Sequence, residues 1–325
     1  MNKKQLRGRW MSVEGRTLAT EVAFRLVSGE SFEGLDVGTH DGRVDLRGFG
    51  LPSPEVVGHV EVGGMTAAIL DGTLSFRDTR WEGLDLSFAI LPSLRFFDAE
   101  ITDCLFDEAH CADWRLWQTH VSRCSFVRCN LRDSSLGIND ERPDTWTQIV
   151  FDRADLRGVA LQAASFVECD FNNVRLQGLQ FEGCSLDRVR FSGVLRDVLF
   201  DFREVPDRKA PEDMRHVDFS GAKFENVEFR GCHFDGVTFP DDPQIRLIPN
   251  FPSVARRQLE LLEGNDSNDA IRLRSVFNGQ LRARQREDAT GVFNRRDELE
   301  WGGESMAVLS ESTLLQALAE SQADA

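Results

Sequence analysis

The chain has 325 residues, 41% of them hydrophobic, no tyrosine and a formal net charge of −16 at pH 7. That length holds one extended domain with two smaller parts, and the acidic balance disfavours nucleic acid and anionic membrane while favouring a basic partner surface. No apolar run reaches the roughly 18 residues of a membrane-spanning helix, and the basic start MNKKQLRGR lacks the apolar stretch of a secretory signal, so cytoplasmic residence is the expectation.

Residues 1–70 read as an N-terminal cap with a partial repeat coil. VDLRGFGL (Val44 to Leu51) carries two repeat-like units centred on Leu46 and Leu51, and GHVEVGG alternates like a short strand.

From 71 to 242 a different period takes over. In FNNVRLQGLQFEGCSLDRVRFSG a large apolar residue returns every five positions: Phe171, Leu176, Phe181, Leu186 and Phe191. A helix repeats near 3.6 and a strand at 2, so the period fits a chain that turns a corner every fifth residue. Twenty-two positions between Phe76 and Phe191 keep this phase. Two residues before each stands a smaller one, such as Ala99, Cys104, Cys124, Ala154 or Cys169, with larger exceptions at Trp114, Leu74, Leu84, Leu94 and Leu179 that predict wider first coils. A second block in a new phase runs through Phe219, Phe224, Phe229, Phe234 and Phe239. The array is interrupted at 137–150, which keeps the phase and either bulges or forms degenerate sides with Trp146 inside, and at 193–216, which changes the phase and is expected to leave the coil.

Residues 243–325 read as a helical region. PSVARRQLELLEG has proline near its first turn and glycine at its end; Ile271, Val276 and Leu281 sit near helical spacing; a last helix is expected near 305–320.

The repeat unit, in ADLRG (154–158) and CDFNN (169–173), resembles the pentapeptide-repeat family. The resemblance implies a right-handed quadrilateral parallel β-helix, an all-β solenoid with four pentapeptides per coil, here carrying a helical C-terminal segment. It also implies a binding function. Family members that resist quinolones resemble B-form DNA in width and charge and occupy the DNA groove of type II topoisomerases, with projecting loops needed for protection, and C-terminal helices in some members join two rods. DNA gyrase or topoisomerase IV is therefore the expected protein partner, and a homodimer through the C-terminal helices a further expectation.

Twenty residues per coil place residues 20 apart in one column. Asp98, Asp103, Glu108 and Asp113 then share one outward position on four successive sides, forming an acidic ring, while Arg95, Arg115 and Arg175 share a column. Phe97 and Trp117 stack on one outward face beside Arg95 and Arg115, either as a docking site for an unrelated partner or as a surface covered by a terminal segment. Asp140, Glu141, Arg142 and Asp144 in the first interruption and Arg208 and Lys209 in the second are loop candidates. Residues 71–242 hold 32 acidic against 20 basic residues, so most of the charge excess lies on the rod.

Six of the seven cysteines fall on the small inward position and Cys111 on the large one, so they read as packing residues and free thiols, although Cys104 and Cys124 should stack within disulfide reach. No metal spacing, phosphate loop or nucleophile motif is present, and the histidines do not converge. The expectation is a protein without catalytic residues, metal or cofactor.

Overall fold

Each side of the coil buries two side chains and turns a corner, and the next side repeats the operation. The computed structural model describes residues 2–51, 60–62, 65–67, 74–137, 142–203, 212–282 and 286–323. Strands Leu74–Arg77, Leu94–Phe97 and Arg115–Trp117 pair in parallel, in register at 20-residue intervals. A second row runs from Arg80–Glu82 through Glu100–Thr102, His120–Ser122, Thr145–Thr147 and Ser165–Val167 to Ser185–Asp187, also parallel. Parallel strands stacked coil on coil form a β-helix solenoid, in which each coil completes its core only against its neighbours. Inside, Phe151, Phe171, Phe191 and Phe219 stack with centroids 4.9, 4.9 and 5.1 Å apart. Trp114, the largest of the residues that depart from the small inward slot, is fully buried, its indole N–H donating to the Leu91 carbonyl at 2.6 Å.

The corners explain the polar half of the repeat. On most sides the residue two places after the large one has a positive φ, 49° at Asp98, 53° at Asp103, 55° at Glu108 and 59° at Asp113. This left-handed conformation costs an ordinary residue roughly 1–2 kcal/mol and is best tolerated by Gly, Asn and Asp. The backbone compensates: the Asp98 N–H donates to the Trp117 carbonyl at 2.9 Å and the Glu108 N–H to that of Val127 at 2.8 Å.

Coil length is not uniform. His120 pairs with Thr145, so the coil crossing the first interruption has 25 residues. Trp146 and Ile149 are buried there. One consequence corrects the expected arginine column: Arg115 stacks on Ser135 and then Ala160, whereas Arg175 stacks on Asp155 in the column of His110 and Asn130. Five extra residues move everything after them by one side.

The second interruption is also corrected. Residues 193–201 do not leave the coil, because Arg190–Asp201 is one continuous strand paired with Asp218–Arg230, and Leu195, Val198, Phe200 and Phe202 are buried. Positive φ at Gly193 and Asp197 puts two corners four residues apart. One side is a residue short, which moves the large residues to Leu195 and Phe200, and a second one-residue shift between Phe200 and Phe219 completes the change of phase.

Helices cover the N-terminal end of the coil, where the sequence predicts only repeat-like units and a short strand. Helix α1 spans Lys3–Gly8 and α2 spans Val13–Ser28, the latter capped by the Ser12 hydroxyl accepting from the Gly15 N–H and ended by left-handed Gly29. Leu6, Trp10, Val22, Ala23 and Leu26 are buried. Trp10 meets Phe49 edge-on at 5.3 Å, and the Trp81 indole donates to the Leu26 carbonyl at 3.0 Å. Val60–Val62 and Met65–Ala67 form a small antiparallel pair.

At the other end Ile245–Ile248 pairs antiparallel with Gly291–Asn294, flanked by α3 (Phe251–Leu261), α4 (Asn268–Leu281) and α5 (Arg295–Ala323). Helix α5 starts ten residues before the expected 305 and is kinked at Gly303 (φ 78°, ψ −178°). The region is tied to the last coil by the Thr290 N–H donating to the Cys232 carbonyl at 2.8 Å and the Asn226 N–H to Asp297 Oδ1 at 2.9 Å.

Candidate functional site

The register brings the two outward aromatic residues together. Phe97 and Trp117 are direct neighbours on adjacent coils, their rings parallel within 10° and 4.4 Å apart, and both partly exposed. Arg77, one coil earlier in the same column, sets its guanidinium 4.0 Å from the Phe97 ring centroid. Two residues along the same strands, Arg95 and Arg115 flank Asp113: Arg95 donates to the Asp113 carboxylate at 3.1 Å and carbonyl at 2.6 Å, and Arg115 lies 2.9 Å from the carboxylate. Burial alone would raise the Asp113 carboxyl, but hydrogen bonds from Arg95 and Ser93 and the arginine charges hold it below the usual carboxylate range.

The four ring acids occupy the left-handed corner, which accounts for their residue type without any ligand. Each is also in an ion pair. Asp98 accepts from Arg142 at 2.9 Å, Asp103 from Arg43 at 2.5 Å, Glu108 lies 3.7 Å from Lys3, and Asp113 is held by the two arginines. The bases for Asp103 and Glu108 come from the N-terminal segment, so the ring doubles as its docking site. Exposed pairs of this kind contribute roughly 0–1 kcal/mol each, yet they remove the free negative ring that the sequence suggests.

Of the loop candidates, Asp140, Glu141, Arg208 and Lys209 lie outside the described residues. Arg142 reaches back over Gln118, with which it also hydrogen-bonds, to Asp98, and so stands beside the aromatic face. Asp144 is a correction. It does not sit on a projecting loop: it fills a small inward slot two residues before Trp146 and is 0% exposed. Its Oδ1 accepts from the Thr119 N–H at 2.9 Å, its Oδ2 has no hydrogen-bond partner, and burial, opposed by that one N–H, pushes the carboxyl up to about 8.

A charged cluster at the N-terminal end was not singled out from sequence. Asp45 accepts from Arg9 at 2.9 Å and from Arg47 at 3.0 Å. Burial raises the Asp45 carboxyl, but the hydrogen bonds from Arg47 and Arg9 outweigh it and hold it far below the carboxylate range. Asp85, fully buried, contacts His40 Nδ1 at 2.7 Å and accepts from the Ser87 hydroxyl at 2.6 Å. The serine bonds to the carboxylate and not to the imidazole, so the trio lacks the nucleophile-to-base contact of an acyl-transfer site. Its signal in the sequence is the pair of Asp-x-Arg and Asp-x-Ser stretches at 45–47 and 85–87.

Among the described residues no three His, Cys, Asp or Glu side chains converge on a metal position, and no helix is long and apolar enough to cross a membrane. All seven cysteines are free and buried, with the Cys104 N–H directed at Cys124 Sγ at 3.4 Å.

The model of the family described as pentapeptide repeats matches residues 151–193 and 213–241, in eight copies. No curated protein sequence matches the chain. Among solved structures, the chain is similar to the pentapeptide repeat protein Rfr23 from the cyanobacterium Cyanothece 51142, at 12% identity and TM-score 0.27 over 39% of this chain and 91% of that one. It is similar to HetL, a pentapeptide repeat protein involved in heterocyst differentiation regulation in Nostoc sp. strain PCC 7120, at 16% identity and TM-score 0.25 over 51% and 85%. A trypsin-treated variant of QnrB1, a plasmid-mediated fluoroquinolone resistance protein, matches at 15% identity and TM-score 0.22 over 51% and 92%. Over 151–193 and 213–241 the chain thus carries pentapeptide repeats, and the five-residue sides with buried inward pairs are the form they take in the structure.

Proposed function

We propose that the chain is a non-enzymatic scaffold that binds another protein through the β-helix face centred on Phe97 and Trp117. The observation that carries this reading is the parallel stack of two outward, partly exposed rings at 4.4 Å, bordered by Arg77, Arg95 and Arg115. Aromatic and arginine side chains supply most hot spots of protein interfaces. Affinity capture on the immobilised protein tests it. A partner retained by the native chain and lost with Phe97→Ala/Trp117→Ala, at unchanged melting temperature, is the expected result; equal retention by both sinks the proposal.

A second reading names the partner. The balance of 32 acidic against 20 basic residues over 71–242 supports DNA mimicry, with a type II topoisomerase, DNA gyrase or topoisomerase IV, bound in place of DNA and modulated or shielded from inhibitors. The local pairing of the ring acids weighs against a free phosphate-like ladder. A gyrase supercoiling assay with and without a cleavage-stabilising drug decides between them. Inhibition or relief of drug-induced cleavage supports the topoisomerase, and no effect at tens of micromolar removes it for the enzyme tested.

Finer features belong to the same proposal. Four five-residue sides per 20-residue coil support a quadrilateral section, and the general preference of parallel crossovers supports a right hand. We take 1–70 as an N-terminal cap, 71–242 as the rod and 243–325 as a helical region. Free, buried thiols support a reducing cytoplasm, and exposed Val308 and Leu315 on α5 support a homodimer through the C-terminal helices.

A further inference from the structure

The rod is acidic as a whole, with 32 acidic against 20 basic residues over 71–242, yet one side of three successive coils is basic. Asn130, Asp155 and Arg175 pair in parallel, so the stretches 128–133, 153–158 and 173–178 lie side by side. They carry five arginines, Arg128, Arg132, Arg153, Arg157 and Arg175, against two aspartates, Asp133 and Asp155. The 25-residue coil assembles this group, because it sets Arg128 beside Arg153 and Arg132 beside Arg157. Arg157 is partly exposed and the other four are exposed.

The carboxylates within reach do not offset these cations. Asp155 takes both Arg157 at 2.6 Å and Arg175 at 3.5 Å. Burial would raise its carboxyl, but the Arg157 hydrogen bonds and the charges of both arginines hold it below the usual carboxylate range. Arg128 lies 3.8 Å from Glu108, which Lys3 also approaches at 3.7 Å, and Arg153 lies 3.9 Å from Asp152. Arg132 has no ion-pair partner among the described residues. Neighbouring strands stand about 4.8 Å apart, and like charges directly opposite one another destabilise a sheet. Two such arginine pairs cost the fold stability that a bound anion would restore.

We propose that this side of the rod binds an acidic segment of a partner protein, a run of Asp or Glu whose carboxylates bridge Arg128 with Arg153 and Arg132 with Arg157. Guanidinium forks match carboxylates in two-fold, charge-assisted hydrogen bonds. A nucleic acid fits less well: the three stretches hold no aromatic residue on which a base could stack, and the acidic rod around them repels a long polyanion. The site lies on another side of the coil from Phe97 and Trp117 and does not depend on their partner.

Fluorescence anisotropy of labelled octaglutamate titrated with the full chain, at low and at physiological salt, tests it, with a single-stranded thymidine oligonucleotide of equal charge as the second probe. Octaglutamate is expected to bind saturably, more weakly as salt rises, and more tightly than the oligonucleotide. Arg132→Glu should weaken it about tenfold or more. Arg123→Glu makes the same charge change at an exposed corner on another side and should leave it nearly unchanged. Arg132→Gln should weaken binding while the melting temperature holds or rises, which a merely structural arginine would not do. No saturable octaglutamate binding up to millimolar concentration at low salt, equal losses in Arg132→Glu and Arg123→Glu, or tighter binding of the oligonucleotide overturns the proposal.

Discussion

A carboxylic acid stands at Asp144 where the coil is built for a small side chain. Its role is visible from its neighbours. In preceding coils Cys124 Sγ accepts from the Cys104 N–H at 3.4 Å and Ser134 Oγ from the Trp114 N–H at 3.0 Å, as Asp144 Oδ1 does from the Thr119 N–H at 2.9 Å. In these coils the inward slot holds one short acceptor, and Asp144 brings a second oxygen that bonds to nothing. Because its folded carboxyl titrates near 8, against 3.8 for the ordinary group, the folded state holds a proton that the unfolded chain releases. Stability must therefore fall as pH rises from about 4 through about 8 and level off above, by an amount on the order of a few kcal/mol at most. Asp144→Ser keeps the acceptor and removes the titration. Its melting temperature should exceed that of the native chain, by a margin that widens between pH 6 and pH 9; parallel curves would show that Asp144 is not the group responsible. The sequence offered the phase needed to place Asp144 inward, two before Trp146, but acidity in a stretch without clear repeats reads as loop.

At the scale of the element, the corner governs what each side tolerates. Ala163 has φ 54°, with its N–H donating to the Glu182 carbonyl at 2.8 Å. Glycine reaches that conformation without a Cβ penalty, so Ala163→Gly should raise stability by about 0.5–1 kcal/mol, and Ala163→Val should lower it by at least as much. Chemical denaturation of the two variants checks this, and a loss on Ala163→Gly would mean that the corner is set by packing rather than by backbone preference. The same corner explains why the five-residue period was legible: two inward positions must be apolar, while the left-handed position draws Asp, Asn, Gly and Arg. Coil length was not legible. The 25-residue coil and the four-residue side at 193–197 leave inward residues inward, so nothing in the hydrophobic pattern reports which column a later residue joins. Arg175 was misplaced for that reason, whereas Phe97 and Trp117, before the first irregularity, fell where the spacing put them. Charge pairing was equally hidden, because Lys3 and Arg43 meet Glu108 and Asp103 only once the N-terminal segment has folded back.

At the scale of the molecule, the two ends of the rod are closed by opposite means. The C-terminal region leaves a cavity against the last coil, whereas α1, α2 and the turn between them seal the first coil with buried Trp10, Val22 and Leu26 against Leu46 and Phe49. A solenoid's terminal coil exposes apolar residues that neighbours bury elsewhere, so this seal should control how the rod starts to open. Gly48 is where the coil backbone meets α1 directly. Its φ is +71°, and a Cβ there would lie 2.7 Å from the backbone N of Arg7 and 2.7 Å from the carbonyl C of Leu6. Backbone atoms cannot swing aside as a side-chain tip can, and the left-handed conformation adds roughly 1–2 kcal/mol of its own for any other residue. Gly48→Ala should therefore lift α1 off the coil while leaving the stacked interior from Phe96 onward intact. Limited proteolysis distinguishes the outcomes: rapid cleavage within the first thirty or so residues with a resistant rod is expected, and cleavage indistinguishable from the native chain would show that α1 does not depend on its contact with Gly48. Uniform digestion would instead mean that the seal and the rod unfold as one unit, making the N-terminal helices part of the folding core rather than a cover laid over it.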